Sequence, residues 1–220
     1  MELAEPINEF DTKIPVDPVK RYLHYRDAFK NGELDPAFPH FSVWELRHVV
    51  NADATDDQLK WGRDMLMNYA PYISVVTDVK EKYLYILQTD VLIRNPSWTG
   101  SPRTYQQVLS GGGKDGPNAW FGRFICKAFG IPTWGCSQAG KSGLTRWTSD
   151  GWVACNGTNW DECEWEGISG HDFKGEVDAR ASVSEEEYFT KFVLLECLAE
   201  VMDNRRGAIA EEERTILHPL

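Results

Sequence analysis

The sequence predicts an α+β fold: a mainly helical N-terminal part, a central helix packed on a small antiparallel sheet, and a C-terminal helix. Three observations carry this. Apolar residues recur at helical spacing through much of the stretch from Asp17 to Tyr69. Between residues 110 and 167, one apolar helix is followed by three short β-like segments. Near the end, an apolar run follows an acidic first turn, the pattern of a capped helix.

Residues 1 to 17 are polar, contain Pro6 and Pro15, and read as an extended arm. From Asp17 the pattern turns helical. Val19, Tyr22, Leu23, Tyr25 and Phe29 form an apolar stripe that ends at Asn31-Gly32. Pro36 and Pro39 break the chain before a short helix over Ser42 to Val50. Asp53-Ala54-Thr55 offers N-caps for a helix reaching Tyr69, which Pro71 stops. Ile73 to Val76 and Tyr83 to Ile93 are rich in aromatic and β-branched residues and suit strands, although Lys82 to Leu87 also fits the end of a helix. A loop with Asn95-Pro96 and Ser101-Pro102 follows.

Ser110-Gly111-Gly112-Gly113-Lys114-Asp115-Gly116-Pro117 reads as a loop feeding a helix, with Pro117 in its first turn. That helix runs from Ala119 to Phe129 and ends at Gly130, a residue suited to the left-handed conformation that closes helices. Ile131 to Cys136, Gly143 to Trp147 and Trp152 to Cys155 are the β-like segments, with Ser149-Asp150-Gly151 as a hairpin turn. Ser182-Val183-Ser184 precedes Glu185 to Glu187 and a helix through Phe189, Phe192, Val193, Leu195, Cys197 and Val201. The organisation expected is a helical region over 1–104 packed on a core over 105–220, together one compact unit.

With 220 residues, 42% of them hydrophobic, the chain can bury one sizeable core. Its formal net charge of -11 disfavours phosphate backbones and anionic lipid heads, so nucleic acid and membrane surfaces are poor partners. No apolar run approaches the ~20 residues that span a bilayer. The first residues carry neither a basic segment nor an apolar core, so no signal peptide is visible and an intracellular location, cytoplasm or organelle interior, is expected. Five cysteines, Cys126, Cys136, Cys155, Cys163 and Cys197, show no short repeated spacing, which argues against a disulfide scaffold or a zinc site. No cofactor and no metal are expected. The glycine loop before Lys114 lacks the Gly-Lys-Ser/Thr ending of a phosphate cradle.

Gly113-Lys114-Asp115-Gly116-Pro117-Asn118-Ala119-Trp120, followed by Ala128-Phe129-Gly130-Ile131-Pro132, resembles the core motif of transglutaminase-like domains, a papain-like fold of cysteine enzymes. That pattern is a Gly-x-Cys loop, a buried helix, a Leu/Phe-Gly-Ile-Pro turn, a His-bearing strand and a Trp-x-x-x-Asp strand. Trp152-Val153-Ala154-Cys155-Asn156 stands at the last strand and is also similar to the peptide N-glycanase branch. The likeness covers about a quarter of the chain.

In such a site the helix dipole and a neighbouring imidazolium hold the thiol as thiolate, and a third side chain orients the imidazole. The resemblance puts the nucleophile position at Asp115, the histidine position at Lys141 or its immediate neighbours in Ala139-Gly140-Lys141-Ser142-Gly143, and the orienting position at Asn156. A carboxylate cannot replace a thiolate in thioester-forming acyl transfer. Lysine, with an ordinary pKa near ~10.4, shuttles protons poorly at neutral pH. No histidine lies between residues 49 and 170. The implied domain is therefore inactive, with vestigial positions Asp115, Lys141 and Asn156 and no catalytic residue. Asp115 and Lys141 keep the charge polarity of a thiolate–imidazolium pair and are expected to form an ion pair, or more rarely an isopeptide crosslink.

Two alternatives stand beside it. An active acyl-transfer or hydrolytic enzyme would need another nucleophile or base, with Cys136, Cys155 or Asp115 as candidates and His24, His48 or His171 brought near by the fold. A glycan- or peptide-binding module would use tryptophans; Trp120, Trp147, Trp152 and Trp160 are the cleft candidates. The reading preferred is a protein-binding or structural module, a subunit of a larger assembly.

Overall fold

The computed structural model describes residues 16–69, 71, 76, 78, 81–82, 95–99, 104–114, 116–138, 141–156 and 162–181, with the backbone alone at 69, 138 and 141. The expected strands at 73–76 and 83–93 fall largely or wholly outside this set, and the expected C-terminal helix falls outside it entirely. The chain divides into two compact units, Met1–Lys174 and Gly175–Leu220. In the second, the described residues are the helical turns to Ala181, where Arg180 pairs with Glu176 at 3.4 Å.

Among the described residues the fold is α+β: six α-helices and a four-stranded antiparallel sheet. The first three helices are α1 (Pro18–Lys30), α2 (Val43–Val50) and α3 (Asp56–Tyr69). Each starts on a side chain that satisfies free backbone donors. Asp17 accepts from the Val19 and Lys20 amides, Ser42 and Glu45 form a reciprocal box, and Thr55 and Gln58 form another.

The apolar stripe expected on α1 is not its buried face. Arg21, Tyr25 and Ala28 are buried, whereas Val19, Tyr22 and Phe29 are exposed. Arg21 explains the rotation. Its guanidinium pairs with Asp56 and donates to the carbonyls of Val50, Ala52 and Ala54, so it closes the turn between α2 and α3 from inside. A buried cation with that many acceptors costs little to desolvate, and it sets the helix orientation that a hydrophobic count misreads.

The loop expected over Ser110 to Pro117 is shorter than its sequence suggests. A helix, α4 (Tyr105–Gly111), opens on a box between Thr104 and Gln107 and takes in Ser110 and Gly111. The central helix α5 (Gly116–Ala128) is buried along its length. Gly130, at φ 75°, closes it: the Gly130 amide returns to Lys127 O at 3.0 Å and the Ile131 amide to Cys126 O at 2.9 Å.

The strands β1 (Thr133–Gln138), β2 (Lys141–Thr148), β3 (Gly151–Asn156) and β4 (Glu162–Cys163) form a meander in sequence order. The expected turn lies between β2 and β3, where Thr148 pairs with Gly151. One face of the sheet sends Leu144, Cys155 and Arg146 toward α5; Leu144 and Cys155 share a core with Phe121, Phe124, Ile125 and Cys126. On the other, Trp134 and Trp152 meet Trp44 and His48 of α2 and Phe173 of α6 (Gly167–Ala181). The helix α6 has no strong apolar face; Gly170 and Phe173 are its buried residues.

Candidate functional site

The N-terminus of α5 is the place to which the motif points. The glycines ahead of it are tight-packing residues: a Cβ on Gly111 would lie 2.6 Å from Trp98 Cε3, and one on Gly113 2.8 Å from Pro117 Cβ. Ser97 donates its amide to Gly111 O at 2.9 Å, so the Ser97-Trp98 segment lies along this loop. Trp98 is a residue the sequence reading missed, since nothing in its Asn95-Pro96 context separates it from an ordinary loop tryptophan. Asn118 in the first turn is fully buried.

Asp115 and Trp160 lie outside the described residues, as does the side chain of Lys141. The backbone register places Lys141 opposite Gln138 at the β1–β2 turn. Asn156 ends β3, half-buried, and pairs with Gly143, which in turn pairs with Cys136. Lys141 and Asn156 are thus at the same end of the sheet, on neighbouring strands.

Three of the four candidate tryptophans can be placed. Trp120 is buried, stacks on Tyr105 with ring centroids 4.1 Å apart, and donates its Nε1–H to Asp53 at 2.9 Å. Its polar handle is satisfied, so it packs as a core residue. Trp147 is half-buried, edge-on to Phe41 at 4.8 Å. Trp152 is half-buried among Trp44, His48 and Phe173. Together with Trp134 these residues enclose the His48 imidazole in aromatic surface. His48 packs among these rings.

The described cysteines are free thiols. Burial pushes Cys126 up to about 12 and also raises Cys155, although the Arg146 guanidinium beside each opposes the shift. Cys136 is buried. Cys163 is half-buried and raised by desolvation and by Glu166 and Glu164. A raised thiol holds little thiolate at neutral pH, the opposite of what a nucleophile needs.

A second feature is apolar and exposed. Of the large hydrophobic side chains left in solvent among the described residues, Val19, Tyr22, Phe29, Val43 and Val50 all belong to α1 and α2. Tyr22, Phe29 and Val50 line a groove of 360 Å³, together with Tyr25, Phe38 and Leu46. Tyr22 is 65% exposed and Phe29 47%.

No protein-family model, curated protein or solved structure matches the chain. Among the described residues, no helix is long and apolar enough to cross a membrane.

Proposed function

We propose that the chain is a catalytically inactive transglutaminase-like domain that works as a protein-binding module. Inactivity is supported by Asp115, Lys141 and Asn156 at the three motif positions, by the lack of a histidine between 49 and 170, and by burial of Cys126, Cys136 and Cys155. Binding is supported by the apolar groove on α1 and α2, the single observation that carries the reading. Exposed apolar surface gathered on two adjacent helices is a mark of a protein contact. Pro18 to Phe29 presents about 17 Å of helix at 1.5 Å per residue, enough to seat a partner's apolar helix or strand. A net charge of -11 on each chain opposes self-association through this face, so the occupant is a different protein.

Capture from the native source with three baits tests this: the wild type, Tyr22→Glu/Phe29→Glu, and Ile168→Glu as an exposed apolar control on α6. A partner retained by the wild type and the control and reduced at least about 10-fold by the double variant is expected, since central aromatics dominate such contacts. Identical profiles from all three baits would overturn the proposal. So would a concentration-dependent homodimer abolished by the double variant.

A further inference from the structure

We propose that Asp35 and Lys82 join through an intramolecular isopeptide bond, an amide that the folded chain makes for itself between the Asp35 carboxyl carbon and Lys82 Nζ. The two side chains form one buried pair. Nζ stands 3.8 Å from Oδ2; Asp35 is 4% exposed and Lys82 3%. The pair is distinct from Asp115 and Lys141. The inference does not rest on the protein-binding reading, since neither residue lines the groove on α1 and α2.

Both partners are held by the fold. The Asp35 amide donates to the Phe129 carbonyl at 2.9 Å, and Asp35 Oδ1 accepts the Ala37 amide at 2.9 Å. Oδ2, closed to solvent and without a hydrogen bond, is the oxygen that stands nearest the lysine. The Lys82 amide donates to the Asp78 carbonyl at 3.2 Å, and Nζ lies 5.1 Å from the Phe129 ring centroid. Phe129 therefore touches both members of the pair. One carbon–oxygen bond beyond Oδ2 puts Asp35 Cγ at most about 5 Å from Nζ. A small rotation of the flexible lysine stem closes that to the ~3–3.5 Å of a near-attack contact.

In water an ammonium and a carboxylate do not condense; the reaction needs a neutral amine facing a protonated acid. Burial moves the pair that way. It raises Asp35, with the charge of Asp78 adding to the rise, and it lowers Lys82 against the pull of Asp35 and Asp78. A proton passed from Nζ to the Asp35 carboxyl leaves both groups neutral. In the step itself the Nζ–Cγ bond forms and the Cγ–Oδ2 bond breaks. One amine proton departs with the Oδ2 hydroxyl as water, and nothing is oxidised or reduced. The Ala37 amide, already on Oδ1, stabilises the negative charge which that oxygen gathers in the tetrahedral intermediate. Asp78 is the proton relay: its charge acts on both partners, and with Asp35 it lines a cavity of 320 Å³ that can take the released water.

Mass spectrometry of the full chain tests this. Intact mass under denaturing conditions is followed from cell-free synthesis through prolonged incubation at neutral pH, and trypsin then locates any change. The wild type is expected to become one water lighter than its sequence. Trypsin should fail to cut after Lys82 and should release a branched product in which residues 31–47 are joined to 81–94. Asp35 cannot lose water to the next backbone nitrogen instead, because Pro36 has no N–H. Asp35→Ala and Lys82→Arg should stay at their full masses. Asp78→Ala, with near-ultraviolet dichroism reporting that it is folded, should lose water at least about 100-fold more slowly. A wild type that keeps its full mass and is cut after Lys82 overturns the proposal. So does a loss of water mapped to another aspartate, a loss retained in Lys82→Arg, or a folded Asp78→Ala that reacts as fast as the wild type.

Discussion

Replacing Gly62 with alanine tests the packing that holds the central helix. Gly62 faces α5 from α3, and a Cβ there would lie 2.7 Å from Phe124 Cζ and 3.3 Å from Ala128 Cβ. Carbon atoms settle near 3.5–4.0 Å, so the ring or the helix must move by about 1 Å. Phe124 has little room, since it is buried, stacked on Tyr105 at 3.8 Å and on Trp61 at 6.0 Å. Overpacking of this kind costs about 1–3 kcal/mol. Alanine's better helix propensity returns about 1 kcal/mol. The balance is a loss of about 1 kcal/mol, which lowers Tm by roughly 2–4 °C in a chain of this size. Gly175 is the internal control: it lies in α6 with nothing within 4 Å of its added Cβ, so Gly175→Ala should gain about 0.5–1 kcal/mol. Thermal melts followed by dichroism compare the two. A Gly62→Ala protein melting as high as the wild type would refute the close approach of α3 and α5.

Asp53 takes both the Trp120 Nε1–H and the Tyr105 hydroxyl at 3.3 Å. Asp53→Ala removes the shared acceptor of two buried donors and should cost about 2–4 kcal/mol in urea denaturation, against a smaller loss for Asp53→Asn. His24 is held down to about 4 by burial and by Arg63, whose Nη1 is 3.2 Å from its Nε2. The unfolded chain takes up this proton near pH 6.5 and the folded one near 4. The stability present above pH 6.5 therefore falls through that window, and His24→Gln should flatten this part of the stability–pH curve.

The elements legible in the sequence were those that carry their own punctuation. Gly130, Asn31-Gly32 and Ser149-Asp150-Gly151 end elements by backbone conformation, a local property that tertiary context does not overrule. The short apolar strands after α5 lie in the expected order for the same reason. Where burial depended on distant partners, the sequence misled. Arg21 reads as a surface cation until Asp56 and three carbonyls are brought around it, and that exchange turns Tyr22 and Phe29 outward. The helix α4 escaped notice because it is seven residues long, although its Thr104…Gln107 box was there to be read. The helix α6, polar on most sides, offers no periodic stripe. In the site, the sequence pointed to Asp115, Lys141 and Asn156, and the strand register brings the Lys141 and Asn156 positions to one end of the sheet. The buried pairing of Asp35 with Lys82 was not legible, because the two are 47 positions apart in sequence and share only the fold.

Thiol reactivity in the native protein tests the central claim most directly. The full chain is treated with iodoacetamide at pH 7.5, natively and in urea, and the labelling rate of each cysteine is followed by peptide mass spectrometry. Buried, raised thiols predict that Cys126, Cys136 and Cys155 label far more slowly in the folded protein than in the unfolded one. A cysteine that reacts faster folded than unfolded would be an activated nucleophile, and the non-catalytic account would be contradicted.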